Sequence, residues 1–266
     1  MKLIDAEIID NHQILPGHRH VQARGILGSW LIWLHCPDIA RESKPGQFVM
    51  VRCGPETTLP RPFSIHQVND DRIALFYAVR EGGLGTGWLA EQKVGASVSI
   101  FGPLGNGFSL DPKSQNLLLV AGGVGIAPLY FLAQHAIENN HKVTLLYGTA
   151  DGNRYPVSPE IEAVAATEDG SAGEKGFITD LLPRFDKRAD QVFACGPMPM
   201  YRDMFNRQRE LKLEGRPVQV SLEVRMGCGV GVCYGCTVKT KSGLKQVCKE
   251  GPIFELDEVL WDGLNL

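Results

Sequence analysis

The 266-residue sequence has no excess of positive charge and no low-complexity tract. Its 27 lysine and arginine residues are outnumbered by 30 aspartate and glutamate residues, so the net charge is −3 and we expect no nucleic-acid partner. Asp5, Glu7 and Asp10 interrupt the N-terminal stretch in which a secretory signal needs an apolar run. We therefore expect a cytoplasmic protein, in which the seven cysteines stay reduced and clustered cysteines bind metal.

Residues 114–137 lack Asp, Glu, Lys and Arg, and a hydropathy scan would take this stretch for a membrane span. The stretch contains Gly122, Gly123, Gly125 and Pro128, however, which are typical of a tight turn between a strand and a helix. We interpret it as buried core and expect no membrane association. An apolar content of 44% and a charged content of 21% also exclude a disordered chain.

Residues 1–110 have the pattern of a β domain, since short apolar and β-branched runs recur between glycine or proline residues. These runs predict strands at 26–34, 47–52, 63–67, 73–79 and 97–101. One helix is predicted to begin near Thr86, and GPLGNGF at 102–108 is predicted to be an irregular loop. The expected architecture is a small closed or nearly closed barrel.

The pattern changes near residue 115 to apolar strands that alternate with helices, which predicts a parallel sheet with crossover connections. The expected strands are 117–121, 143–147 and 191–195, and the expected helices are 128–139, 159–167 and 197–211. A third segment begins near Arg216 and carries most of the cysteines. We therefore divide the chain into a β-barrel (1–110), an α/β domain (111–215) and a C-terminal segment (216–266).

The motif RMGCGVGVCYGC at 225–236 spaces its cysteines as C-x4-C-x2-C, and eleven residues separate the last of them from a fourth. The four are Cys228, Cys233, Cys236 and Cys248. This is the run of plant-type [2Fe–2S] ferredoxins, in which each iron takes two thiolates. The intervening glycines let backbone N–H groups approach the sulfurs. The alternative is structural zinc, although zinc sites favour two C-x2-C knuckles and this sequence has one.

A second motif lies on a predicted strand and consists of Arg61, Pro62, Phe63 and Ser64. Its arginine is able to bind a pyrophosphate bidentately, and its serine is able to meet the polar edge of a flavin ring. Gly85 and Thr86 open the next predicted helix, and a helix N-terminus preceded by glycines is a ready anion site. The motif favours a flavin dinucleotide, and the alternative is an ordinary strand with a surface arginine.

Two further motifs stand at the ends of predicted parallel strands. Gly122, Gly123 and Gly125 belong to GGVGIAP, where glycines let the backbone approach a dinucleotide, although the run is not the G-x-G-x-x-G fingerprint. The second motif consists of Cys195, Gly196 and Pro197. The alternatives are a close-packed turn for the first motif and a buried small apolar residue for the cysteine.

In this order along the chain, the motifs resemble the ferredoxin-reductase superfamily and, more closely, the family of electron-transfer subunits of class 1B dihydroorotate dehydrogenases. The resemblance covers essentially the whole chain. Its segments are RPFSI (61–65), GT (85–86), GPLGNGF (102–108), AGGVGIAPL (121–129), GFITDLL (176–182), FACGPMPM (193–200) and the cysteine run with VCKEGPIF (247–254). The cysteine spacing with Gly-Pro after the fourth cysteine is the most specific of these features.

The resemblance implies an N-terminal Greek-key barrel that binds FAD, a parallel α/β domain that binds NAD and a small C-terminal [2Fe–2S] segment. It also implies a partner subunit that holds FMN and oxidises dihydroorotate, in a heterotetramer with two copies of each subunit. By resemblance, FAD is contacted by Arg61 to Ser64 and by the strand residues Tyr77, Ala78 and Val79. Its phosphates are held by Gly85 and Thr86. The loop REGGLGT is longer than is usual in the family, which puts the register of the strand residues in doubt by one or two.

The chemistry is expected to belong to the cofactors, because the sequence shows no catalytic base beside a partner. A nicotinamide exchanges two electrons as hydride and an iron–sulfur cluster passes one at a time, so a flavin must lie between them. The expected function is to pass electrons from a partner's FMN through [2Fe–2S] and FAD to NAD. The alternatives are a diaphorase subunit of a hydrogenase or of a ferredoxin–NADP transhydrogenase, and a non-catalytic adaptor stabilised by zinc.

Overall fold

The computed structural model describes residues 1–18, 25–262 and 264, without the side chains of 186–188. Its N-terminal part is a closed barrel with the strand order β1-β2-β5-β4-β3-β6. The strands are β1 (Lys2–His18), β2 (Ile26–His35), β3 (Phe48–Val51), β4 (Arg61–Asn69), β5 (Arg72–Arg80) and β6 (Ser97–Leu104). Helix α1 (Pro37–Glu42) follows β2, and helix α2 (Leu84–Ala90) follows β5. The predicted barrel is confirmed.

The second part is a seven-stranded sheet with the order β10-β9-β8-β7-β11-β12-β15. Its strands are β7 (Asn116–Gly122), β8 (Lys142–Thr149), β9 (Glu162–Thr167), β10 (Glu174–Lys175), β11 (Gln191–Cys195), β12 (Val218–Ser221) and β15 (Ile253–Glu255). The remaining elements are β13 (Thr237–Thr240), β14 (Gly243–Gln246), α3 (Ile126–Glu138), α4 (Met198–Asn206), α5 (Val247–Glu250) and the 3-10 helices Gly123–Gly125 and Ile178–Arg188. All neighbouring strands of the sheet are parallel except β12 and β15.

Three local predictions are wrong. Residues 162–167 form the parallel strand β9 instead of a helix, because pairing with β8 outweighs the helix propensity of a Glu- and Ala-rich run. The irregular loop predicted at 102–108 begins later, since Gly102 pairs with Lys2 and Leu104 with Phe48, which extends β6 to Leu104. The helix predicted at 197–211 ends at Asn206.

The barrel and the sheet share buried cores. Leu31 and Phe76 of the barrel wall pack in one apolar cluster with Leu129 of α3. On the other side, Met50 and Leu104 share a cluster with residues of the C-terminal segment, including α5. Strands β12 and β15 of that segment extend the sheet, so the proposed boundary at residue 216 falls between α4 and β12.

None of the described helices is long and apolar enough to cross a bilayer. The charge-free stretch 114–137 contains β7, the 3-10 turn and α3. It forms a buried strand–turn–helix unit, as its glycines predict.

His66 is completely buried between β4 and α3. Its Nδ1–H donates a 2.9 Å hydrogen bond to the Ala127 carbonyl, and its ring stacks on Tyr130. Burial lowers the pKa of His66 to about 4, against a smaller opposite effect of the Ala127 hydrogen bond. The folded protein therefore holds this imidazole neutral at pH values where an unfolded chain protonates it.

We predict that the free energy of unfolding falls as pH drops from 6.5 to about 4, because only the unfolded chain takes up a proton on His66 in this range. The contribution of this residue is about 3 kcal/mol. Chemical denaturation of the wild type and His66→Phe at several pH values measures it. The variant should lose less stability over this range, and parallel losses in the two proteins would contradict the prediction.

Candidate cofactor-binding site

A groove opens between β4 and β5 where their ladder ends. The last pair at this end is Ile65 with Leu75, so the segments 61–64 and 76–79 diverge beyond it. The first segment pairs instead with β3 and the second with β2. Both segments predicted to contact FAD therefore border the same groove, and the rings of Phe63 and Tyr77 pack against each other in the barrel core, with centroids 5.4 Å apart.

The hydroxyl of Tyr77 is an unsatisfied polar atom of the barrel core beside this groove. Tyr77 is 3% exposed, and its Oη has no hydrogen-bond partner among the residues that the structure describes. Burial raises the pKa of Tyr77, and Cys53 adds to the rise, so the hydroxyl stays protonated. A buried hydroxyl without a partner is costly, and a flavin edge or a water would satisfy it. The site therefore fits a polar-edged ring.

Arg61 lies against the first turn of α2. A Cβ built on Gly85 would be 3.5 Å from Cγ and 3.6 Å from Nε of Arg61, and 3.1 Å from Cβ of Cys53. Gly85 and Thr86 are among the first residues of the helix, whose N–H groups have no partner within the helix. A cavity of about 460 Å³ adjoins them, lined by residues that include Cys53, Gly54, Arg80, Gly83 and Trp88. The guanidinium and these N–H groups together suit a pyrophosphate.

The two glycine motifs of the sheet lie in direct contact. A Cβ on Gly125 would collide with the Cys195 carbonyl, and one on Gly122 would be 2.7 Å from Cδ of Pro197. Gly123 has φ +55° and open space around its Cα. The parallel pairing of β7 with β11 places both motifs at the carboxyl edge of the sheet, where dinucleotides bind in open α/β folds.

The Cys195 side chain is completely buried and points to the C-terminal segment. Its Sγ lies 3.7 Å from the Ser221 carbonyl and 3.9 Å from Oε1 of Glu223. Burial raises the pKa of Cys195, and the Glu223 carboxylate adds to the rise, so the thiol is neutral.

Glu223 is a candidate residue that the sequence interpretation missed. Its Oε1 lies 3.9 Å from Sγ of Cys195, and Arg80 at the end of β5 attracts its carboxylate. The carboxylate thus lies near both the end of β11 and the end of β5. The available signal was the single acid in the alternating apolar and polar stretch VQVSLEVRM at 218–226, five residues before Cys228.

The four cysteines of the motif come together in two pairs. The Cys228 thiol interacts with that of Cys233, and the Cys248 thiol with that of Cys236. Across the described part of the chain, no three His, Cys, Asp or Glu side chains converge as ligands of a single metal ion. Two pairs of thiols match a cluster of two irons with two cysteines each.

Backbone N–H groups point at these sulfurs. The N–H of Gly231 donates to Sγ of Cys248 at 3.1 Å, and the N–H of Val230 to Sγ of Cys228 at 3.4 Å. Burial pushes the pKa of Cys228 up, but hydrogen bonds from the loop N–H groups and from Cys233 outweigh it and lower the value to about 6. Burial and the neighbouring Cys236 raise the pKa of Cys248 to about 12. The loop N–H groups stabilise thiolate charge at Cys228, which suits a ligand of an iron–sulfur cluster.

Residues 227–236 form a loop that carries three of the four cysteines, and this cysteine loop packs on the barrel beside Arg61. A Cβ on Gly229 would be 2.7 Å from Cγ of Met50, and one on Gly227 would be 3.8 Å from Cδ1 of Leu59. The carbonyl of Leu59 accepts a 2.7 Å hydrogen bond from Nη1 of Arg61. The cluster ligands and the candidate flavin groove therefore share one end of the barrel.

Comparison with solved structures identifies the class of protein. The fold matches the structure reported for an NADH-dependent reduced ferredoxin–NADP oxidoreductase with a TM-score of 0.79 and 28% identity, over 97% of this chain and 90% of that one. It also matches a ferredoxin–NADP+ reductase of Neisseria gonorrhoeae solved with FAD and NADP, with a TM-score of 0.58 and 18% identity, over 79% of this chain and 92% of that one. The protein therefore has the ferredoxin-reductase fold.

Sequence comparisons identify the family. A model described as the iron–sulfur cluster binding domain of dihydroorotate dehydrogenase B matches residues 223–260, and an oxidoreductase NAD-binding domain model matches 119–205. A dihydroorotate dehydrogenase B (NAD(+)) electron transfer subunit of Desulforamulus reducens is 36% identical over 98% of this chain and 99% of its own. That of Shouchella clausii is 37% identical over 82% and 87%. The chain belongs to the family of dihydroorotate dehydrogenase B electron transfer subunits.

We predict that Arg61→Ala weakens FAD binding by roughly 10- to 100-fold, since a charge-assisted bond to phosphate contributes about 1.5–3 kcal/mol. Titration of the flavin-free protein with FAD measures the affinity, and thermal unfolding of the flavin-free protein measures the separate effect on folding. Arg41→Ala is the matched control, because Arg41 is exposed on α1. FAD binding by Arg61→Ala as tight as that of the wild type would contradict the prediction.

Proposed function

We propose that this protein is the electron-transfer subunit of an NAD-dependent dihydroorotate dehydrogenase. In this function, electrons from the FMN of a catalytic partner pass through a [2Fe–2S] cluster and FAD to NAD+. The contact of the cysteine loop with the Leu59–Arg61 end of the barrel carries the proposal, because it brings the cluster ligands beside the flavin groove. The diaphorase alternatives are not favoured, since the curated relatives quoted are named as dihydroorotate dehydrogenase B subunits.

The residues of the chain divide the work between three sites. When bound, the flavin exchanges a hydride on one side and single electrons on the other. Arg61, Gly85 and Thr86 hold its pyrophosphate, and the segments 61–64 and 77–79 border its ring. The dinucleotide site at the edge of the sheet consists of Gly122, Gly123, Gly125, Cys195, Gly196 and Pro197. The cluster is held by Cys228, Cys233 and Cys236 of the motif and by Cys248 of α5.

The FMN-bearing partner is proposed to dock on the cysteine loop. Val232 is 71% exposed and Tyr234 is 69% exposed on the loop, and Leu59, which lies beside Gly227 of the loop, is also exposed. Exposed apolar and aromatic side chains are typical of interface cores. Electrons that enter through the cluster need a donor close to it, so this face is the expected contact in a cytoplasmic heterotetramer with two copies of each subunit.

We predict that the protein prefers NADH to NADPH. A 2′-phosphate is normally met by basic side chains near the ends of the nucleotide-domain strands. Here the loop after β8 carries Asp151 and a single basic residue, Arg154. Glu168 and Asp169 follow β9, where the Glu168 N–H is bonded to the Thr149 carbonyl. Diaphorase rates with the two cofactors and an artificial acceptor test this, and a preference for NADPH would overturn it.

The isolated chain is predicted to oxidise NADH with artificial acceptors and to leave dihydroorotate untouched, since its three sites use all three segments. Adding the FMN-bearing partner should restore reduction of NAD+ by dihydroorotate. Cys233→Ser should abolish this coupled activity, because the cluster loses one ligand, and spare much of the diaphorase rate. Cys36→Ser is the control, since Cys36 is buried in the barrel core.

Two results would contradict this assignment of roles. Dihydroorotate oxidation by the purified chain alone would place a substrate site within it. Full coupled activity in Cys233→Ser would remove the cluster from the electron path.

A further inference from the structure

A β-bulge in β4 turns two consecutive side chains away from the barrel. Ile65 pairs with Leu75 and Gln67 with Ala74, so His66 is an extra residue with no opposite partner on β5. In a regular strand, neighbouring side chains face opposite sides. The bulge breaks this alternation, and both His66 and Gln67 contact the α/β domain.

His66 is bonded to the helix that follows the dinucleotide turn. Its Nδ1–H donates to the carbonyl of Ala127, two residues beyond Gly125. The ring lies 5.0 Å from that of Tyr130 in a stacked arrangement and 4.6 Å from that of Tyr155 edge-on. Its Nε2 has no hydrogen-bond partner in the described part of the chain. This tightly packed ring has one polar attachment, to the first turn of α3.

Gln67 is bonded to the loop that follows β8. Its Nε2 donates to Oη of Tyr155 at 3.0 Å, and the backbone N–H of Tyr155 donates to Oη of Tyr147 at 3.2 Å. Together, the two side chains attach one barrel strand to the connections after β7 and after β8. Both connections begin at the carboxyl edge of the sheet.

The bulge in β4 lies next to the segment that borders the flavin groove. His66 lies two residues after Ser64, in the motif that borders the flavin groove. We infer that His66, supported by Gln67, is a positioning residue that fixes the flavin strand relative to the dinucleotide turn and so sets how closely the nicotinamide approaches the flavin. This inference rests on the proposed function.

A small movement of this attachment is expected to have a large effect on rate. Hydride passes directly between the two rings, and a misplacement of about 1 Å from a remote substitution is able to cost about 100-fold. The attachment is buried on all sides, so water does not replace a lost hydrogen bond there.

Two substitutions separate the hydrogen bond from the packing of the ring. His66→Phe keeps an aromatic ring but removes the donor to Ala127. His66→Asn keeps an amide N–H able to take the place of Nδ1–H but removes the ring. His141→Phe is the control, because Nδ1 of His141 also bonds a backbone carbonyl at 2.9 Å, that of Ser114, at the opposite edge of the sheet.

The experiment uses the full chain with FAD and cluster bound. FAD and iron contents are measured first, then the rate of flavin reduction by excess NADH in a single turnover. The intensity of the NAD–flavin charge-transfer absorption and hydrogen–deuterium exchange at residues 126–130 report the geometry independently of rate. We expect His66→Phe to lower the rate by roughly 10- to 100-fold, weaken the charge-transfer band and speed exchange at 126–130. His66→Asn should stay within about threefold of the wild-type rate, and His141→Phe should match it.

The outcomes distinguish this inference from the proposed function. A wild-type chain that retains no FAD contradicts the proposed function itself. Loss of FAD in His66→Phe alone overturns the inference, because the residue would then hold the flavin rather than position it. A wild-type rate in His66→Phe overturns it, and so do equal losses in His66→Phe and His66→Asn, since the rate would then follow ring packing and not the hydrogen bond.

Discussion

Gly229 lies so close to Met50 of β3 that a Cβ there would stand 2.7 Å from the Met50 side chain. Its φ of +73° is a conformation that glycine adopts without strain. This contact seats the cysteine loop on the barrel, and Leu59 and Arg61 lie beside it. An electron path from cluster to flavin requires this proximity, so the arrangement of the other parts depends on how the loop meets the barrel.

The α/β domain reaches the same barrel from another side. The shared core of Leu31, Phe76 and Leu129 holds α3 against the barrel wall, and the bulge at His66 adds a hydrogen bond to that contact. Glu223, close to Cys195 and attracted by Arg80, lies where the barrel, the sheet and the C-terminal segment meet. The C-terminal segment and the α/β domain thus both pack on the barrel that carries the proposed flavin site.

Features set by local sequence were predictable. The cysteine spacing, the glycine turn after β7 and the barrel strands follow from motifs and alternation within a few residues, and the cysteine pairs and the contact between Gly125 and Cys195 agree with them. Features set by long-range pairing were not. Strand β9 reads locally as a helix, and the bulge at His66 is defined by its partner strand β5. The Glu223 carboxylate is attracted by Arg80, which is far away in the sequence.

The central claim is that flavin in the barrel links NAD to the cluster within this one chain. An anaerobic titration with NADH, followed by visible absorption and electron paramagnetic resonance, tests it most directly. FAD takes two electrons and a [2Fe–2S] cluster takes one, so the account predicts that about 1.5 NADH per chain bleach the flavin and produce the signal of a reduced cluster. A flavin that bleaches with no cluster signal, or a colourless chain that contains zinc, would contradict it.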